Sequence, residues 1–118
     1  MTTIDPTIAT SDVAGPPLAI DGLTRVVSGP VLAGDDPQAA AEIMTFNLAV
    51  THRPAVVVGA TSASDVAAAV NWAREHGLAV AVQSTGHGPI RSADGAVLVT
   101  TSRMRQVTVD PVRRTATA

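Results

Sequence analysis

Residues 55–83 read AVVVGATSASDVAAAVNWAREHGLAVAVQ, and the fold class turns on this stretch. Ala55-Val56-Val57-Val58 is a short continuous apolar run, the pattern of a strand buried on both faces. Gly59 to Ala63 supplies a turn. Ser62, with Asp65 three positions on, is a capping-box-like helix start, because a Ser oxygen accepts from the amide three residues later. Val66, Val70 and Ala73 then recur at helical spacing and predict a buried stripe. Gly77 follows His76 as a C′ glycine, and Leu78 supplies the apolar contact that closes such a cap. Ala79 to Gln83 is a second apolar strand. Strand, capped helix and strand within about 30 residues make a βαβ unit, which is expected to be parallel and right-handed.

Outward from that unit, Val97-Leu98-Val99-Thr100 predicts a third strand, and Val107 and Val109 alternate with Thr108 and Asp110 in a fourth. Asp110-Pro111 turns the chain, and Thr115-Ala116-Thr117 begins a fifth. Upstream, the run GPVLAGDDP over residues 29–37 reads as a loop or a short extended piece. Asp36 caps a helix with Pro37 at its first position, and that helix is expected from about Gln38 to Val50, before Pro54 stops it. Residues 1–21, rich in Thr, Asp, Ala, Gly and Pro, read as a flexible tail; 22–46 form a leading loop and helix; 47–118 form the main unit. The class is α/β (α+β), a βαβ unit followed by further short strands.

Composition narrows the functions open to such a chain. It has 118 residues, a net charge of −2 and only 15% charged residues, and its eight basic residues are all arginine. Nothing there forms an electrostatic footprint for nucleic acid or an anionic membrane. No run approaches the roughly 18 to 20 apolar residues needed to span a bilayer, and the N-terminus lacks a secretory pattern, so a cytoplasmic location is expected. With no cysteine there is no disulfide framework and no thiolate chemistry. Aromatics are 2% of the chain, so its core must be built from Ala, Val, Ile and Leu. Large anchors are nearly absent, and the chain is expected to lean on something outside itself.

The loop STGHGPIRSADG, residues 84–95, leaves the carboxyl end of the second strand, where open α/β sheets hold their ligands. Its core is Thr85-Gly86-His87-Gly88-Pro89. Glycines permit close approach of a ligand, and successive N–H groups in such a loop form a concavity for phosphate oxygens. The same glycines also suit an ordinary turn. The loop is neither a Walker A motif, since the chain has no lysine, nor a dinucleotide fingerprint, since it precedes a strand. His52 and His76 are the other histidines; neither forms a ligand spacing with His87, so no metal is expected. A hydrolytic triad of Ser84 or Ser92 with His87 and Asp94 can be written down, but no nucleophile elbow accompanies it.

From about Asn47 to Ala118 the chain resembles the start of the FAD-binding domain of the vanillyl-alcohol oxidase / p-cresol methylhydroxylase (PCMH-type) flavoproteins, nearest the berberine-bridge-enzyme-like FAD-linked oxidases. The residues carrying the resemblance are Arg53-Pro54-Ala55-Val56-Val57-Val58, then Ser64-Asp65-Val66 with Ala69-Val70, then Gly77-Leu78-Ala79-Val80. Ser84-Thr85-Gly86-His87-Gly88, Gly95-Ala96-Val97-Leu98-Val99, Ser102-Arg103-Met104 and Val107-Thr108-Val109-Asp110-Pro111 follow in order.

The resemblance implies a fold, a cofactor and an activity. In the family the loop after the second strand wraps the FAD pyrophosphate through backbone N–H groups, a role falling on Ser84, Thr85, Gly86 and Gly88. The histidine often bonds covalently to the 8α-methyl of the isoalloxazine, which maps to His87; otherwise His87 is a non-covalent neighbour of the flavin. Many relatives carry Gly-Gly-His, and Thr85 fills the first glycine position here. Ser102 maps to a polar contact near the flavin. The implied activity is oxidation of an alcohol, amine or sugar-type small molecule by hydride transfer to FAD, with oxygen as acceptor. The resemblance covers only the first part of such proteins, so the chain is expected to need the missing remainder of its FAD and substrate domains. The alternatives are a truncated inactive remnant and a small phosphate- or nucleotide-binding module with no redox role.

Overall fold

The computed structural model describes residues 18–88 and 91–118; residues 1–17 of the expected tail, and residues 89–90 of the loop, lie outside them. Four strands, β1 (Val31–Ala33), β2 (Val56–Gly59), β3 (Val80–Gln83) and β4 (Val97–Thr100), form one sheet in the order β1-β2-β4-β3. β4 lies parallel to both β2 and β3, while β1 runs antiparallel on the outer edge of β2. A hairpin of β5 (Thr108–Asp110) and β6 (Thr115–Thr117) follows. Asp110 Oδ1 closes its turn by accepting from the amides of Val112 and Arg113, each at 3.0 Å.

The βαβ unit has parallel strands, as its sequence predicts, but β2 and β3 are not neighbours: β4 inserts between them. Every residue of β2 and β4 is buried, whereas Val80 and Val82 on edge strand β3 are 38% and 66% exposed. One sheet face carries the main core, with Val56, Val58, Val97 and Val99 packed against Leu23, Ala69, Trp72 and Ala73. Each such buried valine contributes roughly 1.5 kcal/mol or more. The other face is thinner, with Leu98 packed among Ala93, Ala96, Ile43 and Ala81.

Three helices are described: α1 (Asp21–Val26), α2 (Ala39–Ile43) and α3 (Ala63–Glu75). α3 starts and stops as its sequence dictates. The Ser62 hydroxyl accepts from the Asp65 amide, and at the far end the Leu78 amide donates to Ala73 O and the Gly77 amide to Arg74 O. That paired closure is the Schellman arrangement, and Gly77 takes the positive φ (66°) it requires. The buried face of α3 is offset from the expected stripe. It is formed by Asp65, Ala69, Trp72 and Ala73, with Val66 at its border, and Val70 is 43% exposed.

Two expectations upstream are corrected. α1 begins within residues read as tail and leading loop; its N-cap, Ile20, makes no side-chain cap, so nothing local marks the start. The helix expected from Gln38 to Val50 ends at Ile43. Nor does Asp36 cap it with Pro37 at the first position: the helix starts at Ala39 with Gln38 as its N-cap. Asp36 Oδ1 instead closes the turn before it by accepting from the Gln38 amide at 2.8 Å. Beyond Ile43, however, Thr45 Oγ1 donates to Asn47 O, Asn47 Oδ1 accepts from the Ala49 amide, and the amides of Phe46 and Asn47 donate to Thr85 O and Gly86 O. Local side-chain bonds and a tertiary partner together outcompete the helical ladder.

Asp65 is nearly inaccessible (1%), and it is the point where the layers are tied. Its carboxylate accepts from the Thr61 hydroxyl (2.7 Å), the Thr61 amide (2.9 Å), the Ser28 amide (2.9 Å) and the Gly29 amide (3.3 Å). These donors, led by the Thr61 hydroxyl and the Ser28 amide, outweigh desolvation and hold its pKa at about 2, below the ordinary 3.8. Because the folded value is depressed, the stabilisation is complete above about pH 4 and is lost as pH falls towards about 2. Asp65→Ala is expected to lower stability by about 2–3 kcal/mol, measured by urea unfolding at pH 7. The wild-type midpoint should fall steeply below pH 4, and Asp65→Ala should flatten that dependence.

Candidate functional site

The loop after β3 stands at the carboxyl edge of the parallel strands. Ser84, Thr85, His87 and Gly88 are exposed, and Gly86 is half-buried. A strap formed by residues 44–47 fixes the loop from beneath. The amides of Phe46 and Asn47 donate to Thr85 O (3.1 Å) and Gly86 O (3.0 Å), and Gln83 Nε2 donates to Met44 O (3.0 Å). Gly86 adopts φ +74°, and a Cβ there would lie 2.8 Å from the Thr45 Cα and Cβ. Gly88 has nothing within 4 Å of its would-be Cβ, so it leaves open space beside the backbone.

Two open cavities flank the loop. One, of about 430 Å³, is lined by Ser84 to Gly88 together with His52, Gln83 and Arg91. The other, of about 500 Å³, is lined by Ser84, Thr85 and His87 together with Phe46, Ser102, Met104 and Arg105. His87 borders both. Its ring stacks on Phe46 with centroids 4.0 Å apart and planes 21° off parallel, and its Nδ1 lies 2.5 Å from Thr85 Oγ1.

The loop after β4 completes the second cavity. Thr100 Oγ1 donates to Glu42 Oε2 at 2.7 Å, and Arg103 pairs with the other Glu42 oxygen. Arg103 first, with help from Thr100, holds the Glu42 pKa below the ordinary carboxylate value. Arg105 Nε donates to Ser102 O at 2.6 Å, and the Met104 amide donates to Thr101 O. Helix α2 thus fixes the segment that presents Ser102.

The structure brings the residues of the expected cofactor loop and Ser102 around two adjoining cavities. Ser84, Thr85, Gly86, His87 and Gly88 line the first cavity, and Ser102 joins Ser84, Thr85 and His87 on the second. The triad of Ser84 or Ser92 with His87 and Asp94 is not assembled. Asp94 Oδ1 accepts from the Arg53 amide, and His87 Nδ1 meets Thr85. His52 Nδ1 accepts from the Ala93 amide and pins the loop before β4, and His76 Nδ1 lies against Trp72 O at the end of α3. Among the described residues no group of three or more His, Cys, Asp or Glu is placed to hold a metal. Nor is any described helix long and apolar enough to cross a membrane. Phe46 and the Glu42–Arg103 pair were not legible as site residues, because their partners lie 41 and 61 positions away along the chain.

Residues 54–118 match the model of a family described as FAD binding domain. The chain belongs to that family. Over 88 residues it is 33% identical to 1'-carboxy-chondrochloren decarboxylase from Chondromyces crocatus, covering 70% of this chain and 16% of that protein. Its fold is similar to that of 6-hydroxy-D-nicotine oxidase from Arthrobacter nicotinovorans, with TM-score 0.65 and 29% identity over 71% of this chain and 19% of that one. It is also similar to xylooligosaccharide oxidase from Myceliophthora thermophila, with TM-score 0.70 and 28% identity over 84% and 22%. The chain therefore spans less than a quarter of each relative's length. The match to the FAD-binding family and the likeness of fold to these two oxidases bear out the resemblance read from the sequence.

FAD is the cofactor of this FAD-binding domain. The loop's own bonding suits the diphosphate of that cofactor. Its carbonyls at Thr85 and Gly86 are taken by the strap, while among the described residues the amides of Thr85, Gly86, His87 and Gly88 have no backbone acceptor. A row of free donors on an exposed loop complements phosphate oxygens.

The two loop glycines should behave differently on substitution. Gly86→Ala must accommodate a positive φ and a contact with Thr45, and is expected to cost about 1–2 kcal/mol and several degrees of melting temperature. Gly88→Ala is expected to leave the melt of the unliganded chain unchanged and to weaken FAD retention, read by gel filtration with absorbance at the flavin wavelengths.

Proposed function

We propose that this chain forms one wall of the flavin site of an oxidoreductase acting on an alcohol, amine or sugar-type organic small molecule. The observation that carries the reading is the exposed loop of residues 84–88 at the carboxyl edge of the parallel strands, with free amides and His87 between two cavities, inside the region matching the FAD-binding family. In this reading Ser84, Thr85, Gly86 and Gly88 bind the pyrophosphate through their amides. The His87 ring would stand beside the flavin and be the residue through which it is held covalently at the 8α-methyl. Ser102, held by its neighbours' anchors, lines the second cavity. Bound FAD would supply acceptance of hydride from the substrate and delivery of the electrons to oxygen.

The names of the relatives support an oxidative flavin site without fixing its substrate: two are oxidases of a nicotine derivative and of xylooligosaccharides, and one is a decarboxylase. Localisation in the cytoplasm belongs to the same proposal.

Purified chain reconstituted with FAD is expected to retain flavin on gel filtration, and to give a yellow pellet on acid precipitation. A colourless pellet with retained soluble flavin would remove the covalent link and keep the binding. His87→Ala is expected to abolish acid-stable flavin while leaving dissociable FAD. Equal thermal protection by ADP and FAD would favour a nucleotide-binding module instead, since the isoalloxazine would then contribute nothing.

A further inference from the structure

The His87 ring is fixed on two sides before any ligand arrives. Phe46 covers one face, stacked at 4.0 Å and 21°. Thr85 Oγ1 engages Nδ1 at 2.5 Å, and the donor in that pair depends on the ring tautomer. Both holding groups are themselves anchored. The Phe46 amide donates to Thr85 O at 3.1 Å, so the residue that supplies the stack and the residue that supplies the hydroxyl are joined by a backbone bond. The next rung, from the Asn47 amide to Gly86 O, keeps the strap in register with the loop.

Phe46 is the chain's one phenylalanine, yet it is 72% exposed and does not serve the core. Thr45 beside it is buried, with its hydroxyl bonded to Asn47 O, so the strap turns its polar residue inward and its aromatic ring outward onto His87. An exposed aromatic ring stacked on an exposed imidazole gives up rotamer freedom on both sides for a contact that buries little core surface. Such an arrangement makes physical sense where the orientation of the imidazole matters.

The geometry points to Phe46 and Thr85 as positioning residues that set the orientation of the His87 ring, and so the ring nitrogen it presents to the flavin. Phe46 fixes the plane of the ring, and Thr85 fixes its rotation within that plane by engaging Nδ1. The inference rests on the flavin-site reading of His87, but the ring's restraint is a property of the unliganded chain and can be measured there.

The experiment follows the His87 ring signals by NMR in the unliganded chain and FAD affinity by quenching of flavin fluorescence. In Phe46→Leu the His87 ring protons should lose the upfield shift imposed by the stacked ring; in Phe46→Tyr they should keep it, and in Phe46→Trp the shift should grow. In Thr85→Val the Nδ1 nitrogen signature should move, and Thr85→Ser should restore it. FAD affinity should fall about three- to tenfold in Phe46→Leu and in Thr85→Val, and recover in Phe46→Tyr and Thr85→Ser. Unmoved His87 signals in Phe46→Leu and Thr85→Val would overturn the restraint. Moved signals with unchanged FAD affinity would overturn its service to the flavin. A wild-type chain that binds no FAD would defeat the flavin-site reading, while the ring signals still decide whether the two residues hold His87.

Discussion

The Asp65 carboxylate, closed off from solvent, accepts from four donors: the hydroxyl and amide of Thr61 and the amides of Ser28 and Gly29. Among the described residues no cationic side chain pairs with it. Its charge is balanced by oriented N–H and O–H dipoles and by its place in the first turn of α3, where a helix favours negative charge. The bond set spans two otherwise separate parts of the chain, the segment that leads into β1 and the turn that joins β2 to α3. Once they are joined, Gly59 N–H donates to Pro30 O and Ala60 N–H to Thr100 O, so the ends of β2 and β4 are aligned. The carboxyl edge of the parallel strands, which the loop of residues 84–88 leaves, follows from this alignment.

What the sequence makes legible here is what neighbouring residues decide among themselves. Ser62 caps α3, Gly77 and Leu78 close it, and Asp36 and Asp110 fold their own turns, each through bonds spanning five residues or fewer. The order of the strands belongs to a different kind of information. Val80–Gln83 and Val97–Thr100 are both short apolar runs, and nothing within either says that the second lies in the middle and the first on the edge. α2 stops at Ile43 because the amides of Phe46 and Asn47 find acceptors on a loop 39 residues further on, a competition invisible in the helical pattern. For the same reason the loop of the site could be read residue by residue, while the strap that holds it could not.

The scarcity of aromatic residues takes on a different meaning in the folded chain. The main core is filled by valine and alanine on a flat sheet face and closed by Leu23 and Trp72. Trp72 also stacks on His76, at 3.9 Å, and so works at the closing end of α3. Phe46 is outside the core and beside the site. Small side chains packed in layers fill that core, on a sheet covered by α1 and α3 on one face and by α2 on the other. Apolar surface is left over on the edge strand β3, the strap and the final hairpin, where Val82, Phe46 and Val109 are each at least 66% exposed.

The loop owes its chemical polarity to the strap. A backbone segment carries donors and acceptors in equal number, so an exposed loop has no inherent preference for an anion over a cation. Here the amides of Phe46 and Asn47 occupy the carbonyls of Thr85 and Gly86. With those two carbonyls occupied by protein, the amides of Thr85, Gly86, His87 and Gly88 have no backbone acceptor among the described residues, a donor set that complements anionic oxygens, and Arg91 lines the same cavity. The bonds are between backbone groups, so the polarity survives replacement of a loop side chain, Thr85 included, as long as Gly86 keeps its positive φ and its close approach to Thr45. The side chains of the loop are thereby freed for a separate task, and the one that carries ring chemistry, His87, is the one held by a stack and a hydroxyl.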